Sequence, residues 1–105
     1  MVKELGTKAE FDSFLSENSG KLTVVDFTAS WCPPCQAIKP IFEAISEEHT
    51  DVAFAKVDVD ANSETSSACG VTCMPTFKFY KDSSELTKLE GASEAELRRL
   101  IDEYK

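Results

Sequence analysis

The sequence predicts an α/β fold, a sheet of strands covered by amphipathic helices, and three observations carry that prediction. Apolar, β-branched runs alternate with segments whose apolar residues recur at helical spacing, in the order β-α-β-α-β-α-β-β-α. Two of the helical segments open on capping boxes, Thr7-Lys8-Ala9-Glu10 and Ser93-Glu94-Ala95-Glu96. The last two strands are separated only by Lys81-Asp82-Ser83-Ser84, so they form an antiparallel hairpin and make the sheet mixed. A chain of 105 residues, 42% of them apolar, suits a single domain, 1–105, that needs no disulfide staples to fold.

Val2 to Leu5 reads as a short first strand. After the first capping box, Phe11, Phe14 and Leu15 fall on one helical face, and the helix ends near Asn18 with Ser19-Gly20 as punctuation. Leu22 to Phe27 is a buried strand. Ile38, Ile41, Phe42 and Ile45 then mark a helix that begins at about Cys35, with Pro40 inside it to bend it. Val52 to Val59 is a third strand. Asn62 to Cys69 is a polar, weakly patterned helix stopped by Gly70. Thr76 to Tyr80 and Glu85 to Leu89 form the hairpin, and Leu97, Leu100, Ile101 and Tyr104 give the last helix its apolar face.

Composition narrows the function. A formal net charge of −8 repels nucleic acid and anionic membrane, so neither is expected as a partner. No apolar run approaches the ~18 residues of a membrane span. Met1-Val2-Lys3-Glu4-Leu5 lacks the apolar stretch of a secretory signal, which makes a cytoplasmic or nuclear protein the expectation. In such a setting cysteines serve catalysis or metal binding more often than structure.

The chemistry centres on Trp31-Cys32-Pro33-Pro34-Cys35. Two cysteines with two residues between them, after a strand and before a helix, read as a dithiol that closes and reopens. A helix start leaves N–H groups unpaired and partially positive, which favours an anion there. Cys32 sits at that end, beside an exposed Trp31, and fits the attacking thiolate. Cys35, a turn further in, is more buried and fits the resolving thiol. Prolines cost little in a first helical turn, where the N–H each lacks is unpaired anyway.

Asp26 is the one charge in the strand Val24-Val25-Asp26-Phe27. Buried, it has a raised pKa and can accept the proton of Cys35, directly or through a water. If it instead faces solvent at the end of the sheet, it is an ordinary polar strand residue. Lys39 either supplies positive charge to the same pocket or is an exposed helix lysine. His49, the only histidine, ends a helix in Glu47-Glu48-His49-Thr50 and supports no metal or nucleophile site. Asp58 and Asp60 read as a turn after a strand rather than a metal pair. Met74-Pro75 is an X–Pro bond for which the residues alone favour trans.

Val24-Val25-Asp26-Phe27-Thr28-Ala29-Ser30-Trp31-Cys32 resembles the active-site strand and turn of the thioredoxin family. So do Lys39-Pro40, Val57-Asp58-Val59-Asp60, Met74-Pro75-Thr76-Phe77 and Gly91-Ala92, in order along the whole chain. The family usually places Gly-Pro between the cysteines. Pro33 replaces that glycine here, as in the generally longer tryparedoxins and nucleoredoxins, while length and Met74-Pro75-Thr76 favour a small eukaryotic cytosolic type. The resemblance implies a central five-stranded mixed sheet with two helices on each face, and a buried Asp26. It implies a cis Pro75 beside the dithiol, with Met74, Pro75 and Thr76 as a substrate-docking edge. Trp31, Pro33 and Pro34 flank that edge, and Gly91 completes the groove where a side chain would obstruct it. The extra cysteines, Cys73 near the redox surface and Cys69 buried at a helix end, are regulatory candidates. Oxidation of Cys73 would link two monomers.

Three functions from different classes follow. One is a protein-disulfide reductase that binds no cofactor itself. Its electrons come from NADPH through a separate flavoprotein, thioredoxin reductase, because the chain has no dinucleotide-binding glycine motif. The resemblance implies peroxiredoxins and ribonucleotide reductase among its targets. Another is a zinc module on Cys32, Cys35, Cys69 and Cys73, although the 33 residues between Cys35 and Cys69 exceed the usual ribbon spacing of roughly 15–20. The third is a redox-sensing binding protein that uses the same dithiol. Pro33 removes an N–H near Cys32 and freezes one φ. The stiffer loop is expected to strain the closed ring and make the chain a weaker reductant than its own Pro33→Gly variant.

Overall fold

β2 (Thr23–Thr28) lies at the centre of the computed structural model, which describes residues 1–105. Around it are β1 (Val2–Glu4), α1 (Lys8–Glu17), α2 (Pro33–Glu48), β3 (Ala53–Asp58), α3 (Ser63–Ala68), β4 (Thr76–Lys81), β5 (Ser84–Glu90) and α4 (Glu94–Tyr104). The five strands are ordered β1-β3-β2-β4-β5. β3 runs parallel to β1 and β2, and β4 runs antiparallel to β2 and β5. Both expected capping boxes start helices, the Thr7 and Ser93 hydroxyls accepting the Glu10 and Glu96 N–H groups at 3.1 and 3.2 Å.

A central strand buried on both faces carries apolar side chains at successive positions, and β2 does so. Val24 joins Leu22, Phe54, Phe77 and Phe79 under Ile38, Phe42 and Ile45 of α2 and Leu97, Leu100 and Ile101 of α4. Val25 and Phe27 turn the other way, with Ala55 and Val57, to meet Phe11, Phe14 and Leu15 of α1. α3 lies beside α1 on that side, so each face carries two helices.

Two details depart from the pattern reading, the start of α2 and the length of the hairpin turn, while α3 keeps its expected bounds. α2 starts at Pro33, directly after Cys32, and continues as one helix through Pro40 to Glu48. The polar α3 owes its start to Asn62, whose side-chain carbonyl accepts the Thr65 N–H at 3.3 Å and hydroxyl at 2.9 Å. The Asn62 amide nitrogen donates to the Leu5 carbonyl at 3.0 Å. The hairpin turn is tighter than four residues: Lys81 pairs with Ser84, leaving Asp82 and Ser83 with φ of 52° and 66°.

Candidate active site

Two elements converge on the dithiol. β2 ends at Thr28, and the chain turns through Ala29-Ser30-Trp31 into the start of α2. Cys32 is the N-cap of α2, and Pro33 and Pro34 take its first two helical positions. Cys32 and Cys35 form a disulfide with 5.2 Å between their Cα atoms. Cys32 Sγ also accepts the Cys35 N–H at 3.3 Å and lies 3.8 Å from the Met74 carbonyl oxygen. Both cysteines are buried, Cys35 completely and Cys32 at 4% exposure, in a small cluster with Ala29, Val59 and Met74. Trp31 stands out beside them at 62% exposure, its Nε1 donating to Asp60 Oδ2 at 2.7 Å.

Asp26 is buried, as the resemblance implies, on the α2 side of the sheet. Its Oδ1 has no hydrogen-bond partner, and it opens onto a cavity of about 160 Å³ also lined by Lys39, Lys56, Glu43 and Gln36. Burial pushes its pKa up to about 7, against the opposing pull of the Lys56 ammonium. Lys56 thus stands beside Asp26 on the neighbouring strand, β3, and opposes the upward shift. Lys39 lines the cavity from an exposed helix position.

The segment expected to be a docking edge, Met74-Pro75-Thr76, is only partly at the surface. The Met74–Pro75 bond is cis and Met74 is half-buried, and its N–H donates to no acceptor within the protein. Thr76 is 1% exposed. Held between β2 and β5, it donates its hydroxyl to the Cys73 carbonyl at 2.7 Å, which makes it a support for the edge rather than a contact surface. Pro75 is buried too, while Pro33 and Pro34 are exposed. Gly91 has φ of +111° and donates its N–H to the Pro75 carbonyl at 2.9 Å. A Cβ there would meet no protein atom within 4 Å, so backbone conformation rather than internal crowding selects glycine.

Cys73 is exposed. Cys69, expected to be buried, is half-buried, because it caps the C-terminus of α3 at the rim of an open cleft. There the Tyr80 hydroxyl donates to its sulfur at 3.8 Å. No group of three or more His, Cys, Asp or Glu side chains converges on a common point, so the four cysteines do not assemble a zinc set. Asp58 Oδ1 accepts the N–H groups of Asp60 and Ala61 at 2.9 and 3.2 Å, the turn expected of it. His49 caps α2 and is half-buried beside Lys105.

Sequence reading passed over Lys56 and Gln36 at this site and gave Asp60 only a place in a turn. Lys56 carried a usable signal: it is the lone cation in an apolar strand, as Asp26 is the lone anion in another. Asp60 and Gln36 carried none, since their partners are set by loops.

A dithiol closed at a helix start, in a chain whose strand leading into it also carries a buried carboxylate, exchanges disulfides, and the protein is a thiol–disulfide oxidoreductase. The thioredoxin family profile matches residues 2–103. A thioredoxin of Geodia cydonium is 51% identical, with both chains fully covered, and a thioredoxin of Homo sapiens is 43% identical over 98% of each. The crystal structure of Fasciola hepatica thioredoxin superposes with a TM-score of 0.98 at 46% identity, covering 99% of this chain and 100% of that one. The chain belongs to the thioredoxin family.

Proposed function

We propose that the protein reduces disulfides in other proteins and is itself reduced by an NADPH-dependent flavoprotein, thioredoxin reductase, with no cofactor of its own. Peroxiredoxins and ribonucleotide reductase are target classes suggested by the family. The observation that carries the proposal is the position of Cys32 at the N-cap of α2, its sulfur facing the Cys35 N–H and the positive end of the helix. That position favours the Cys32 thiolate. It attacks one sulfur of a target disulfide, forms a mixed disulfide and releases the other target sulfur as a thiolate. Cys35 then gives its proton to Asp26, through water in the cavity, and attacks Cys32 Sγ. The Cys32–Cys35 disulfide closes and the second target sulfur leaves. A carboxylate with a pKa of about 7 accepts that proton at physiological pH, which one at the usual value of 3.8 would do poorly. Trp31, Pro33, Pro34 and Met74 form the accessible wall, where the free Met74 N–H can pair with an extended target segment.

Turnover of insulin disulfides with NADPH and thioredoxin reductase tests the overall reaction. Cys32→Ser abolishes it, while Cys35→Ser retains attack and accumulates mixed disulfides that mass spectrometry identifies. If Cys32→Ser is the variant that traps targets, the two roles are reversed.

A further inference from the structure

Gln36 follows the second cysteine, and its side chain reaches back across the redox turn. Its Nε2 donates to the Ala29 carbonyl at 3.0 Å, and the same carbonyl accepts the Cys32 N–H at 3.3 Å. Ala29 is 1% exposed and directly continues β2, so this acceptor belongs to a fixed part of the molecule. One oxygen therefore collects a donor from each side of the disulfide ring, the backbone of the first cysteine and the side chain just beyond the second. The ring has few other donors to spend. Pro33 and Pro34 have no N–H, and the Cys35 N–H is directed at Cys32 Sγ.

We propose that Gln36 is a positioning residue for the dithiol, an amide clip that keeps the turn carrying Cys32 in register with the first turn of α2 when the disulfide is open. The inference rests on the thiol–disulfide reading above. Opening the disulfide removes the covalent link across the ring. Two thiols left free to drift apart lose more conformational freedom when they close again, which weakens the disulfide. The clip limits that drift and so makes the protein a stronger reductant. An uncharged amide suits the task, because it donates to a neutral carbonyl without adding a cation at the positive end of α2.

Equilibration with glutathione tests this. Two thiol hydrogens and two electrons pass from Cys32 and Cys35 to glutathione disulfide, leaving the protein disulfide and two glutathione thiols. Gln36→Met keeps the length and removes the donor. Gln36→Asn keeps the amide and shortens its reach. Both are expected to lower the equilibrium constant for forming the protein disulfide by about fivefold, the worth of one ordinary hydrogen bond. Both also slow resolution of a mixed disulfide held on Cys32. A merely structural role would lower the urea midpoints of the two redox forms equally and leave the equilibrium unmoved. An unchanged equilibrium in Gln36→Met, or a wild-type value in Gln36→Asn, overturns the clip. A wild type that fails to exchange with glutathione at all would instead overturn the reading on which it rests.

Discussion

At Asp26, a single residue in a buried strand, stability and the proposed proton transfer are expected to be coupled. Its carboxyl has a folded pKa of about 7, raised by burial from 3.8. Below about pH 4 it is protonated in both the folded and unfolded states and does not affect their balance. Between about 4 and 7 the unfolded chain ionises first and binds fewer protons than the folded one, so stability falls as pH rises. Above 7 the cost is complete, on the order of 4 kcal/mol at 1.36 kcal/mol per pKa unit. Asp26→Asn should remove that cost. Its urea midpoint should match the wild type near pH 4 and exceed it by a margin that grows until about pH 8, while the resolving step slows in single-turnover measurements. A stability difference that does not change with pH would show that Asp26 is solvated. The residue stands out in the sequence because it interrupts an apolar strand. Lys56 interrupts its own apolar strand in the same way, but matching it to Asp26 requires the register of β2 against β3.

At the scale of elements, α2 does most of the work. Its N-terminus presents Cys32, its first turn carries both prolines, and further along Ile38, Phe42 and Ile45 fix it to the sheet. Pro33 occupies the first helical position, where the φ of proline suits the helix and where no N–H is required. The donor that Cys32 Sγ does use belongs to Cys35. Both effects of replacing glycine are thereby softened: little donor capacity is lost, and the fixed φ is one the helix wants. Pro33→Gly is expected to shift the glutathione equilibrium by less than about 30 mV, a tenfold change for this two-electron couple, with the wild type the weaker reductant. A larger shift, or a more reducing wild type, would mean that the ring rather than the helix sets the conformation of residue 33.

For the molecule as a whole, charge and the exposed thiol act against each other. A net charge of −8 keeps two copies apart, so the reduced protein is expected to remain a monomer. Cys73 is exposed next to the docking edge, whereas Cys69 sits half-buried under Tyr80, whose O–H stays a donor because burial raises its pKa. Oxidant should therefore produce a dimer linked through Cys73. It should form faster as salt rises, because screening weakens the repulsion between copies. Non-reducing gels across a salt series, with Cys73→Ser alongside, measure this. A dimer that survives the substitution would place the link elsewhere. No helix is long and apolar enough to cross a membrane.

The sequence by itself determined the order of the elements, the caps on α1 and α4, the Cys32–Cys35 dithiol, and the lone carboxylate in the strand before it. Each of these is local: periodicity, a capping box, a pair of cysteines two residues apart, a charge among apolar neighbours. The sheet order and the cis bond at Pro75 were legible only through resemblance to a family, since nothing in the residues themselves selects them. Tertiary structure alone decided that Lys56 lies in register beside Asp26, that Thr76 points inward to the Cys73 carbonyl, and that Cys69 reaches a cleft. It also set Gln36 against Ala29 and Asp60 against Trp31. The reason is common to all five. Each depends on which segments, distant in the chain or joined by a turn, the packing brings within about 3–4 Å, and sequence spacing carries no record of that distance.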